Sequence, residues 1–223
     1  MMTNIFSIFD PSSPTIMSSN WLSLFIIVLI CPPMYWVANS RLTCAVLAVN
    51  FFSFKEFSPL LKKAPYILIF PVTLLIFIMS NNLMGLPSYI FTASSQLIFT
   101  ATLALPAWLA LMLYGWMNNL SNLLTHLIPQ NTPLLLMPFM VLIETISNLI
   151  RPITLAIRLT ANMVAGHLLI VLLNSADTVT PLMLYPILFS TKQLLLLLEL
   201  AVAFIQAYVF SVLVTLYMAE FTN

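Results

Sequence analysis

Arg158 stands at the centre of the run Ile153 to Asn174, ITLAIRLTANMVAGHLLIVLLN, where almost every neighbour is apolar. A charge in the middle of a membrane-length helix costs about 2.5–3.5 kcal/mol even on the scale that penalises it least. A basic side chain near a helix end escapes that cost by snorkelling to the headgroups. Arg158 lies too deep in its run for that, so a functional role is the first expectation. Its guanidinium keeps its proton throughout the physiological range. The chemistry open to it is electrostatic: it attracts a mobile carboxylate and repels a bare cation.

The other intramembrane polar residues are not scattered. Glu144, Arg151 and Arg158 recur every seven residues, nearly one face of an α-helix. Asn148 and Asn162 each sit one turn from a member of that stripe. In the last apolar segment Lys192, Glu199, Gln206 and Glu220 also fall at multiples of seven. Two such stripes on adjacent antiparallel helices either face one another or line water. His167 follows Arg158 by nine residues, about half a revolution, and is expected to face elsewhere, towards the outer side. His167 and Glu199 both exchange protons, the imidazole near neutral pH. Glu144 and Glu220 belong to the inner side. A fixed positive charge between two such groups is a barrier to direct proton leak.

The rest of the chain is built for lipid. Of its 223 residues, 61% are hydrophobic and 6% charged, against about 25% charged in ordinary soluble domains. This composition is that of an integral membrane protein. A net charge of +1 offers nothing to nucleic acid. Cys31 and Cys44 lack metal-ligand spacing and read as two small hydrophobes. No metal site and no cofactor are expected. The start MMTNIFSIFDPSSP has no basic residue and is unlike a secretory signal or transit peptide. Insertion by the chain's own spans is expected, as in a bacterial protein or one made inside an organelle. Thirteen Met against seven Lys plus Arg lean to the organelle.

A spanning helix needs about 20 apolar residues. Trp21–Ala38, Tyr66–Gly85 and Gln96–Met117 are three candidates, joined between the last two by a polar turn, MGLPSYIFTASS. Arg41–Lys63 mixes Lys55, Glu56, Lys62 and Lys63 with Phe51, Phe52, Phe54 and Phe57, and reads as an amphipathic surface segment. Leu134–Leu173 and Leu182–Ala219 are apolar over 40 and 38 residues. As helices they would run about 57–60 Å, twice a hydrocarbon core of about 30 Å. Two long, tilted helices joined by the hairpin NSADTVTP are expected. A split at Pro152 into two short spans competes with that reading.

The expected fold is therefore an all-α polytopic membrane protein. It has about five membrane-embedded helices plus a surface amphipathic helix, the last two long and strongly tilted as a hairpin. One membrane domain covers 1–223: an outer-side N-terminal segment 1–20, an inner-side amphipathic segment 39–65, and the hairpin 133–220. The basic cluster Arg41, Lys55, Lys62 and Lys63 places its segment inside by the positive-inside rule. The N-terminus then faces outward, and Glu220 returns inside.

Three stretches carry a family resemblance. RPITLAIRLTANMVAGH (Arg151 to His167), PFMVLIETISNLIRP (Pro138 to Pro152) and LELAVAFIQAYVFSVLVTLY (Leu198 to Tyr217) closely resemble subunit a of F-type ATP synthases in its mitochondrial, animal form. The resemblance covers essentially the whole chain. It implies the stator half of a proton turbine in the mitochondrial inner membrane, coupling proton translocation to rotation for ATP synthesis. The implied partners are the rotating c-ring, other membrane-sector and peripheral-stalk subunits, lipid and protons. Arg158 matches the family's essential arginine, which meets the ring's carboxylate, with Asn162 and Gln206 beside it. His167 and Glu199 match the protonatable pair of the intermembrane-space half-channel, Glu144 an acid of the matrix half-channel, and Glu220 a residue at its exit. The resemblance puts the N-terminus in the intermembrane space and the C-terminus in the matrix. Lys192 matches no family role.

Other classes fit less well. A haem-binding redox subunit needs paired histidines, and His126 falls in a loop, leaving only His167 in the membrane. A structural scaffold has no use for Arg158. A secondary transporter usually shows repeated halves, and there is no internal repeat. With three Gly in all and no phosphate-binding Gly-rich loop, nucleotide chemistry must lie in other subunits.

Overall fold

The computed structural model describes residues 6, 9–12, 20–25, 40–61, 65–87, 90–118, 120, 124, 127–128, 133, 136–176 and 180–222. Most of the span expected at Trp21–Ala38, together with Cys31, Lys62, Lys63, His126 and Asp177, lies outside the described residues. Among the described residues, five α-helices follow one another: α1 (Arg41–Phe57), α2 (Ile69–Gly85), α3 (Leu97–Asn118), α4 (Met137–Ala176) and α5 (Tyr185–Thr222). Short 3-10 turns stand at Asn20–Phe25, Pro65–Leu68, Ala93–Ser95 and Leu182–Leu184. Among the described residues, four segments have the length and apolar composition to cross a membrane: Pro65–Gly85, Leu97–Asn118, Met137–Ala176 and Tyr185–Glu220.

The amphipathic segment forms a helix as expected. Ser40 caps α1, its side chain accepting from the Thr43 N–H at 3.3 Å. Thr43, Ser53 and Phe57 are buried, while Phe51, Phe52 and Phe54 stay exposed. Both buried hydroxyls bond to their own helix, Thr43 to the Ser40 carbonyl and Ser53 to that of Asn50, so neither is left unsatisfied. The Phe57 ring stacks on Tyr208, centroids 6.2 Å apart, and fastens α1 to α5.

No break occurs at Pro152: α4 is one helix of 40 residues with Pro152 inside it. The lost N–H forgoes one bond to the carbonyl of Asn148, but Pro152 is buried in the packing seam. That seam, Pro152, Leu155, Ala156, Leu159, Thr160 and Met163, has the 3–4 spacing of a helix packed on one side. The facing seam of α5 is Glu199, Ala203, Gln206, Ala207, Phe210, Ser211, Val214, Thr215 and Met218. Glu199 and Gln206 recur every seven residues because they lie on this contact line.

Little separates lipid from protein in hydrophobicity, so membrane helices gain by close approach through small residues. Ala104, Ala107, Ala156, Ala203 and Ala207 all lie within the buried set. Around them Leu68, Val72, Leu75, Ile78, Leu155, Leu159, Phe210, Val214 and Met218 form one apolar core. In it α2 packs chiefly on α5, α3 chiefly on α4, and α4 on α5.

The polar α2–α3 connection is not solvated throughout: Thr92–Ser95 is buried against α2 and α4. Its residues are small and bond locally: the Thr92 hydroxyl donates to Ser95 Oγ at 2.9 Å, and that of Ser95 to the Thr92 carbonyl at 2.7 Å. The approach to α2 requires glycine, since a Cβ on Gly85 would come within 2.8 Å of Thr92 Cγ2.

Candidate functional site

The two long helices run antiparallel, and their polar residues meet in order. Going up α4, Arg151 meets Glu220, Asn162 meets Gln206, and His167 meets Glu199. The two stripes therefore face one another. About 35 Å of helix axis separates Glu144 from His167, enough to link the two sides of a membrane.

At the outer level, His167 Nε2 and Glu199 Oε1 are 3.5 Å apart. Their side chains are 16% and 4% exposed. The distance is within ion-pair range, but no hydrogen bond forms. Among the described residues, neither oxygen of Glu199 nor Nε2 of His167 has a hydrogen-bond partner. Buried polar groups without protein partners call for water. A cavity of about 300 Å³ adjoins His167, lined also by Thr92, Asn174, Lys192 and Gln193. Lys192 is thus a lining residue of this cavity. Phe9 packs edge-on against the imidazole, centroids 6.5 Å apart, and Gln96 Nε2 donates to the Phe9 carbonyl. Nearby Asp10 is fully exposed, and the Ser12 N–H donating to it at 3.0 Å holds its carboxyl below the usual range.

Gly166 makes the pair possible. A Cβ there would lie 2.9 Å from Glu199 Oε1 and 3.1 Å from its Cδ. The carboxylate occupies the space a side chain would fill. The sequence reading did not single out Gly166, although a glycine inside a helix, about 1 kcal/mol worse than alanine, was a usable signal.

At the middle level, Asn162 Nδ2 donates to Gln206 Oε1 at 2.9 Å. Arg158 is exposed and makes no ion pair among the described residues. One buried amide was also missed: Asn82, wholly buried on α2, donates to the Ala203 carbonyl of α5 at 3.4 Å.

At the inner level, Arg151 joins both acids. Its Nη1 is 3.0 Å from Glu220 Oε2, its Nη2 3.4 Å from Glu144 Oε1, and its guanidinium lies over the Tyr217 ring at 5.2 Å. The sequence placed Arg151 in the stripe but gave it no task. No cluster of three metal-ligating side chains occurs among the described residues, and Cys44 is exposed on α1.

A paired Glu and His beside a cavity, an exposed arginine, and a charged cluster at the far end follow one another along the two helices. The family model described as the ATP synthase A chain matches residues 15–219. The chain belongs to that family. It is 50% identical to ATP synthase subunit a of Drosophila simulans over 223 residues, covering 99% of both chains. Similar proteins from Locusta migratoria (49%) and Aedes aegypti (50%) align over 225 residues, with 99% of the locust chain covered. The chain is accordingly a component of the ATP synthase membrane sector, and not an enzyme alone. Its apolar helices make it a multi-pass protein of the mitochondrial inner membrane.

Proposed function

We propose that this chain is the stator of a proton-driven rotor, with two half-channels that meet a c-ring at Arg158. The carrying observation is the contrast along α4: Arg158 is exposed without an ion-pair partner among the described residues, while His167 above it and Arg151 below it each meet a glutamate of α5. Protons enter from the intermembrane space through the cavity beside His167 and pass to Glu199. From there each proton neutralises a ring carboxylate released from Arg158. The neutral carboxyl crosses lipid as the ring turns, since losing the charge removes the cost of burial in hydrocarbon. After nearly a full turn the proton leaves to the matrix past Glu144 and Glu220.

Asn162 and Gln206 hold one another beside Arg158 and line the gap between the half-channels. Arg158 keeps the gap closed to protons, because its charge is fixed and repels them. The field supplies the drive, about 2.3 kcal/mol per charge per 100 mV. The N-terminus faces the intermembrane space and the C-terminus the matrix, and α1 lies on the matrix surface as the positive-inside rule requires. Further membrane-sector and peripheral-stalk subunits cover the remaining apolar faces.

The test is ATP-driven acidification of inner-membrane vesicles holding the whole complex. Arg158→Ala abolishes pumping on this reading. Arg158→Lys is also expected to lose it, since an ammonium lacks the planar fork. Pumping at the wild-type rate in Arg158→Ala overturns the assignment.

A further inference from the structure

We infer that Arg151 is a positioning residue of the matrix-side path, holding Glu144 and Glu220 as one proton-accepting unit. The inference rests on the proposed function, which uses the two acids and gives Arg151 no part. An arginine commonly sets both arms on one carboxylate. Here the arms diverge, one to Glu220 of α5 and the other to Glu144 of α4. Each acid keeps its second oxygen clear of the guanidinium and available to a proton. Tyr217 covers the guanidinium from α5 and fixes its plane.

Charge decides what such a unit does. Two carboxylates and one guanidinium sum to −1. One proton makes the unit neutral. A second would leave it positive, about 10 Å along α4 from Arg158, and is disfavoured. The unit therefore handles one proton at a time. The charged or titratable groups around it are Glu144 and Arg158 on α4 and Glu220 and Tyr217 on α5. Neither α2 nor α3 carries a charged side chain, and Lys55 and Glu56 of α1 are exposed. Without the guanidinium, two carboxylates would face each other at −2. Two like charges in contact repel, and the ion pair between the last turn of α5 and α4 would be lost.

The experiment compares Arg151→Gln, Arg151→Lys and the swapped pair Arg151→Glu with Glu220→Arg in the assembled complex. ATP-driven acidification of inside-out vesicles is followed against the pH of the matrix-facing solution, with Arg158→Ala alongside. Arg151→Gln is expected to slow pumping about two- to fivefold and to move the profile to higher pH by about half a unit or more. Arg151→Lys keeps the charge and leaves the profile near its wild-type position. The swap restores the sum of −1 and brings the profile back. A profile for Arg151→Gln that coincides with wild type overturns the inference, whatever the rate. If Arg151→Gln does not assemble, the swap decides: a profile at the wild-type position supports the inference, and a displaced one overturns it. Inactive Arg158→Ala beside an unmoved Arg151→Gln profile removes this inference alone. Active Arg158→Ala removes the underlying reading.

Discussion

The outer and inner ends of the hairpin treat acids in opposite ways. Glu199 is buried with no cation but a histidine, and its oxygens bond to no described residue. Glu144 and Glu220 are partly exposed, and each contacts the guanidinium of Arg151. The first acid is shielded beside a cavity, and the other two lie open to solvent at a shared guanidinium. On the proposed function, the first group captures protons and the second unit releases them. Arg158 between them is exposed and pairs with neither acid group among the described residues.

That contrast is open to attack by substitution. The largest effect is expected for Glu199→Gln. It keeps the shape and removes the proton carrier, so ATP-driven pumping falls on the order of a hundredfold. A rate within twofold of wild type would take Glu199 out of the path. Next comes Gly166→Ala, whose methyl would collide with the Glu199 carboxylate at 2.9 Å. The acid must move away from His167, and pumping drops about tenfold in complexes that assemble normally by native gel. An unchanged rate would mean the closeness of His167 and Glu199 is incidental. At the inner end Glu220→Gln costs only about two- to threefold, because Arg151 still holds Glu144 and water reaches the site. A loss as deep as that of Glu199→Gln would erase the distinction between the ends. The smallest effect is that of salt. Raising ionic strength on the matrix side weakens the exposed pairs of Arg151 and trims the rate by tens of per cent, while the same change on the outer side leaves the buried pair untouched. Equal sensitivity from both sides would contradict the burial difference.

Much of this was legible in the sequence because charges are so few. A residue such as Arg158, in a run that otherwise belongs in hydrocarbon, announces itself by its cost. The seven-residue spacing of Glu199 and Gln206 gave the contact line of α5, and the length of the two apolar runs gave the hairpin. What the sequence left open depended on register between helices. Arg151 shares a stripe with Glu144, but only the pairing of α4 with α5 brings Glu220 to its other arm. Pro152 looked like a break, yet one lost hydrogen bond does not divide a helix whose proline lies in the packing seam. The α2–α3 connection reads as a polar turn, and its burial was not legible because it depends on the Thr92 and Ser95 hydroxyls bonding to each other within the segment. Gly166 was missed because its value lies in what is not there: a Cβ would occupy the space taken by the carboxylate of another helix.

The central claim is that the two ends of the hairpin open to opposite sides of the membrane with Arg158 between them. Side-specific labelling tests it directly. In a chain with Cys31 and Cys44 changed to serine, a cysteine is placed at Gln193, which lines the outer cavity, or at Thr145, exposed beside Glu144. A membrane-impermeant thiol reagent is then applied to intact complexes from each side. Gln193→Cys should react only from the intermembrane-space side and Thr145→Cys only from the matrix side. Reaction of both from the same side, or of either from both sides, would contradict two separate half-paths.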